Sequence, residues 1–234
     1  MMNKTQLEKY NRSISLDDFG IEGQEKLLNS KVFIVGVGGL GNQILLHLSS
    51  LGVGEFGIAD IDVIQLSNLP RQVLYGENDL GHNKVETATK KILEKNKDVK
   101  INTFNVLVTE FNSRELFKGY DLVIEATDDI KTKFVVEDAC KALGIPFIIS
   151  GVNGYQGQVM LVNKKSKYSF KSLFSELPTS IEENKAVFPL AVSLVSDVTS
   201  DLAVKELLNS GEDVIDELIT VDAKKIEIKK YRFE

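Results

Sequence analysis

The chain has 234 residues, 43% of them hydrophobic, which suits one domain with a sizeable core or one with a small appendage. Its 28 Lys and Arg against 34 Asp and Glu leave a formal net charge of −6, so no basic surplus speaks for nucleic acid. No apolar run reaches membrane-spanning length, the N-terminus lacks a signal-peptide core, and one cysteine excludes an intrachain disulfide, which together predict a soluble cytoplasmic protein.

Residues 1–11 are polar and expected to fray. From Asp17 to Leu28 the apolar positions are Phe19, Ile21, Leu27 and Leu28, with Ser15 or Asp17 as caps of a short helix that Gly20 and Gly23 break into pieces. The first strand is Val32 to Val35, running into Gly36-Val37-Gly38-Gly39-Leu40-Gly41. Leu40, Ile44, Leu45, Leu48 and Leu51 then recur at helical spacing, and Gly52 is the expected stop. A second strand covers Phe56 to Asp60. A loop of roughly twenty residues follows, a length that is usually functional or disordered. A helix from Asn83 to about Asn96, a strand from Val99 to Val106 and a strand from Leu122 to Ala126 come next, the last apolar except for Glu125. Thr127 or Asp128 is placed to cap the following helix, which runs to Leu143 and stops at Gly144 before Pro146. Phe147 to Ile149 is the fifth strand.

After Gly151 the pattern changes. Gln158 to Val162 reads as a strand, residues 163–185 are polar and irregular, and Pro189 to Leu208 is helical. Leu218 to Asp222 and Ile226 to Phe233 read as an antiparallel hairpin. The fold class that follows is α/β: a Rossmann-like, mostly parallel sheet with helices on both faces and a C-terminal antiparallel extension.

The chemistry gathers at strand exits. Gly36, Gly38 and Gly41 have the spacing of a dinucleotide fingerprint, where residues without a Cβ let backbone N–H groups approach a phosphate at a helix N-terminus. Asp60 lies 19 residues after Gly41, near the ~20 expected of an acid that bonds a ribose hydroxyl. Asp62, Asn68, Arg71, Gln72, Lys84 and Asp128 fall on the same edge of the sheet, because ligands in such folds bind outside the carboxyl ends of the strands. Two cations with carboxylates suit a triphosphate and a divalent metal better than a plain dinucleotide. Taken singly, Arg71 and Lys84 also read as solvated charges, Asn68 as a turn residue and Asp128 as a helix cap.

The runs Gly-Val-Gly-Gly-Leu-Gly, Gly-Val-Gly-Glu-Phe-Gly-Ile-Ala-Asp-Ile-Asp, Leu-Ser-Asn-Leu-Pro-Arg-Gln, Gly-His-Asn-Lys-Val and Thr-Asp-Asp resemble the MoeB/ThiF/HesA family, bacterial relatives of the ubiquitin-activating enzymes. Tyr-Asn-Arg-Ser and Gly-Tyr-Gln-Gly-Gln resemble it too, so the likeness covers about residues 10–205. It implies a single adenylation domain spanning 1–234, with a nucleotide-binding part over 11–150 and a carrier-binding part over 151–234. The activity implied is ATP- and Mg2+-dependent adenylation of the C-terminal glycine of a ubiquitin-like sulfur-carrier protein, with release of pyrophosphate. By motif, Gly36, Gly38, Gly39 and Gly41 would pass the phosphates and Asp60 would hold the ribose. Asp62, Asn68, Arg71, Gln72 and Lys84 would surround the phosphates, and Asp128 would coordinate magnesium. Arg12 would reach into the partner's site in a homodimer.

The likeness breaks at the structural zinc of many relatives. Ser169-Phe170-Lys171-Ser172 stands where the first Cys-x-x-Cys pair would be and the second pair is missing, so no zinc is expected and 163–185 should be mobile. Cys140, inside an apolar helix, is expected to be an inert core thiol, and His47 to be structural. Two alternatives stay open: adenylation of a short ribosomal peptide in antibiotic synthesis, and an NAD-dependent oxidoreductase. A non-catalytic scaffold is a further class, against which Arg71, Lys84 and Asp128 argue.

Overall fold

The computed structural model describes residues 2–174, 186–210 and 212–233. Three helices open the chain, α1 (Lys4–Lys9), α2 (Asn11–Ile14) and α3 (Gly20–Asn29). The N-terminus is therefore not frayed: Asn3 and Gln6 form a reciprocal capping box that satisfies the first amides of α1. α3 is a continuous helix with no side-chain cap, so Gly20 and Gly23 do not interrupt it.

Then come β1 (Lys31–Val35), α4 (Gly39–Leu51), β2 (Glu55–Ala59), α5 (Lys84–Lys95), β3 (Lys100–Phe104), α6 (Ser113–Phe117), β4 (Leu122–Glu125) and α7 (Ile130–Leu143). β5 (Phe147–Asn153), β6 (Gln156–Val162), α8 (Phe170–Phe174), α9 (Pro189–Leu208), β7 (Glu217–Asp222) and β8 (Glu227–Arg232) complete it. One eight-stranded sheet has the order β3-β2-β1-β4-β5-β6-β7-β8. The first five strands run parallel, and β6, β7 and β8 add antiparallel. The hairpin thus extends the one sheet.

Alternation along the central strands separates two cores. Val32 and Ile34 of β1 join Ile44, Leu45 and Leu48 of α4 on one face, and Phe33 and Val35 join Phe117, Val136 and Cys140 on the other. The two parallel arms diverge from β1 and β4, which pair directly, so the strand order reverses between them. That is the place where a crevice opens at the carboxyl ends of the strands. α9, buried along much of its length, packs on α4. Its Ser196 hydroxyl donates to the Leu40 carbonyl.

The loop from 60 to 83 is ordered by its own bonds. Val63 bridges Asn83, the Ile64 amide donates to the His82 carbonyl and the Gly81 amide to the Ile64 carbonyl, and Leu74 and Tyr75 are buried. Residues 163–174 are anchored as well: Asp216 accepts from the amides of Lys167 and Tyr168, and Ser169 donates to buried Glu137. Residues 175–185, the rest of the segment expected to move, lie outside the described residues.

Candidate active site

A cleft of about 1190 Å³ opens over the carboxyl ends of β1, β2 and β4. Gly36, Gly38, Gly39, Asp60, Asp62, Asn68, Arg71, Gln72, Lys84 and Asp128 all line it, so residues distant in sequence share one wall. Gly41 and Arg12 are not among its lining residues.

The glycine loop explains its own composition. Gly36 has φ +85°, and a Cβ there would meet the Thr127 methyl at 2.9 Å, so this glycine is required by the turn and by the β4 exit beside it. A Cβ on Gly41 would stand 1.9 Å from the Gly36 carbonyl oxygen. Gly41 therefore serves the close packing of α4 on the loop and lies outside the cleft lining. A Cβ on Gly38, by contrast, would meet only Gln72 Nε2, at 3.7 Å, and would stand in the cleft. α4 begins at Gly39 and no side chain caps it, so its first amides are left for an anion.

Asp60 ties this loop to the next strand. Its Oδ2 accepts from the Val37 amide at 2.9 Å and its Oδ1 from the Asp62 amide at 2.9 Å. Burial pushes its pKa up, against the charge of Lys84 and the two amides. Tyr75, buried, shares its hydroxyl proton between the Val37 carbonyl at 3.0 Å and the Lys84 carbonyl at 3.2 Å. Nothing in the sequence pattern singled out Tyr75; an aromatic in an irregular loop reads as core.

Lys84 opens α5, whose cap is Asn83. Its side chain is only 6% exposed and its ammonium lies 2.7 Å from Asp62 Oδ2. Arg71 Nη1 donates to the Ser67 carbonyl at 2.8 Å, which holds the guanidinium at the cleft edge. Asn68 Oδ1 accepts from the Gln65 amide, and the Asn68 carbonyl accepts from the Arg71 and Gln72 amides, so this short turn carries all three residues. Gln72 is buried and its Oε1 has no hydrogen-bond partner among the described residues.

Asp128 is exposed beyond β4 and makes no hydrogen bond among the described residues. It does not cap α7. Asp129 does, accepting from the Thr132 amide at 2.8 Å and hydroxyl at 2.7 Å, which leaves Asp128 available. Among the described residues no three His, Cys, Asp or Glu side chains converge to hold a metal by themselves. A magnesium ion here would take Asp128 together with phosphate oxygens and water, which is its ordinary mode beside a nucleotide.

Arg12, on α2, is exposed and away from the cleft lining. His47 contacts Asp197 and Ser200 of α9 at 3.4 Å. Cys140 is buried, and burial pushes its thiol pKa up, which leaves it unreactive. Beyond the glycine loop, the cleft continues over the antiparallel strands past Gln158, Asp222, Lys229 and Tyr231.

The family model described as the ThiF family matches residues 10–234. A sulfur carrier protein adenylyltransferase of Thermus thermophilus is 32% identical over 238 residues, covering 97% of this chain and 87% of that protein. An adenylyltransferase and sulfurtransferase MOCS3 of Dictyostelium discoideum is 32% identical over 219 residues, covering 92% of this chain. The chain spans 51% of the length of that relative. The crystal structure of PaaA superposes with a TM-score of 0.84 at 25% identity, covering 99% of this chain and 74% of that one.

Proposed function

The chain belongs to the ThiF family, and from that premise we propose that it is an ATP-dependent adenylyltransferase activating the C-terminal glycine carboxylate of a ubiquitin-like sulfur-carrier protein. The observation that carries the proposal is the convergence of Arg71, Lys84, Gln72 and Asp128 on one cleft beside an uncapped helix N-terminus.

The reaction asks little covalent chemistry of the protein. A carboxylate oxygen of the carrier forms a bond to the α-phosphorus, and the bond from that phosphorus to the bridging oxygen of pyrophosphate breaks, its electron pair leaving with pyrophosphate. No proton has to move, because the attacking carboxylate is ionised at neutral pH. The obstacle is repulsion between two anions, so positioning and charge neutralisation carry the rate. Lys84 and Arg71 supply positive charge beside Asn68 and Gln72 around the phosphates, and Asp60 orients the nucleoside end. Asp128 would hold Mg2+, which spreads the charge of the phosphates. Lys84 is preformed against Asp62, so incoming phosphate exchanges one anion partner for another without moving a long side chain.

The test is exchange of labelled pyrophosphate into ATP. A carrier ending in Gly-Gly is expected to support it, and Asp128→Ala to reduce it by about a thousandfold, as loss of a charge-stabilising group does. No exchange with any ubiquitin-like carrier, together with exchange driven by a short peptide, would move the reading to peptide adenylation. Tight NAD binding without exchange would defeat adenylation altogether. The homodimer and the cytoplasmic setting belong to the same proposal; among the described residues no helix is long and apolar enough to cross a membrane.

A further inference from the structure

We infer that the buried pair Lys133–Glu125 is a positioning device that holds Asp128 toward the cleft, an inference that rests on the adenylation reading only for Asp128's role. Neither residue is assigned by the motifs, yet both hold Thr127, the residue before Asp128, whose carboxylate makes no hydrogen bond among the described residues. Glu125 is fully buried at the end of β4 and Lys133 is 5% exposed on α7.

The pair grips Thr127, the residue before Asp128, at three atoms. Glu125 Oε1 accepts from the Thr127 amide at 2.8 Å and from its hydroxyl. Lys133 donates to the Thr127 carbonyl at 2.8 Å, to the Ser150 carbonyl at 2.8 Å and to Glu125 Oε2. An ammonium has three N–H donors, and all three are used. Lys133 touches the cleft wall, but in this arrangement it has no proton to offer a phosphate. Ser150 closes the ring by donating to the Glu125 carbonyl at 3.0 Å, joining the β4 and β5 exits.

On its other side Asp128 is followed by Asp129, fixed as the cap of α7. The run 127–129 is thus bonded at both ends and open only at Asp128. A buried ion pair rarely adds stability over well-packed apolar residues, so its presence here calls for a different account. Fixing one loop in one conformation supplies it. The Thr127 methyl also backs Gly36, so the same clamp sets the distance between the glycine loop and Asp128.

The test uses the full chain with Lys133→Met, Glu125→Gln and both together; the double variant removes the charges as a pair, so no lone ion is left buried. The double variant is expected to fold and to bind ATP without magnesium as the wild type does. Its affinity for Mg2+, titrated into the ATP-saturated protein, should fall by about 10- to 100-fold, the range typical of residues that support a metal ligand. Hydrogen exchange across 126–130 should quicken while exchange in β1 and α4 stays unchanged. Unchanged Mg2+ affinity, or unchanged exchange at 126–130, overturns the proposal. Loss of ATP affinity in the absence of Mg2+ overturns it too, by making Lys133 a nucleotide ligand, and a double variant that does not fold overturns it by making the pair a core element. None of these readings needs a carrier, so a wild type without pyrophosphate exchange defeats adenylation and leaves the clamp to be judged separately.

Discussion

Gly38 and Gly41, three residues apart, answer to different constraints. Gly41→Ala drives a methyl into the Gly36 carbonyl and should cost about 3 kcal/mol in denaturant unfolding, because the obstacle is backbone. Gly38→Ala meets no backbone, so it should melt closer to the wild type yet bind ATP more weakly by calorimetry. The fingerprint spacing marked both glycines without separating them; only the close approach of α4 does so. Asp60 shows the same limit. Its spacing after the glycines was legible, but its bonds to the Val37 and Asp62 amides were not. Two facing amides demand two acceptors, so Asp60→Asn must turn an NH2 toward one of them and should weaken ATP binding. Because burial raises the Asp60 pKa, protonation begins at a higher pH than for an ordinary aspartate. ATP affinity should therefore decline on acidification sooner than nucleotide protonation alone explains, as titrations across pH 4–7 would show. Lys133 escaped sequence reading because its partner Glu125 lies in a strand that otherwise reads as core.

Most elements were legible because periodicity and punctuation agree along the parallel half. Gly52 and Gly144 end α4 and α7 at φ +93° and +67°, as their positions require. Misreadings cluster where a local side-chain bond decides. Asn3 caps a helix in a stretch that composition marks as disordered, and Asp129 rather than its neighbours caps α7. Asp129→Ala should cost about 1 kcal/mol of unfolding free energy at neutral pH, the usual worth of a cap. Burial alone would raise the Asp129 pKa, but its bonds to Thr132 and the Lys131 amide and charge outweigh it and hold the carboxyl below the ordinary value. The cap's contribution is then present above that ordinary value and lost as pH falls through the lowered one. A chemical denaturation series from pH 7 to 2 should show the variant and wild type converging at the acid end. In the stretch where the family resemblance breaks, Ser169 and Ser172 bond to each other, and Ser169, Lys141 and the Lys171 amide meet on buried Glu137. No sequence pattern announces these bonds, since Glu137 precedes Ser169 by 32 residues, across β5 and β6.

At the scale of the whole molecule, Arg12 carries the proposal of a shared site. It is exposed on α2 and does not line its own cleft, so its proposed role lies in a second copy's site. Mixing inactive Arg12→Ala with inactive Asp128→Ala and allowing exchange should restore about a quarter of wild-type turnover. In a two-fold dimer half the molecules become mixed, and each of those regains one intact site. Absence of recovery, with mixed dimers verified by mass spectrometry, removes Arg12 from the mechanism. The sheet has a further property at its margin. β8 is exposed along its whole length and, at an outer border, leaves one row of amides and carbonyls unmatched by a neighbour. Such borders invite identical molecules to zip together. Lys229, Lys230 and Arg232 stand along this one, paired with Glu227 or Glu217. Charged side chains on an edge strand discourage such pairing, so neutralising those three cations should show first as turbidity on storage.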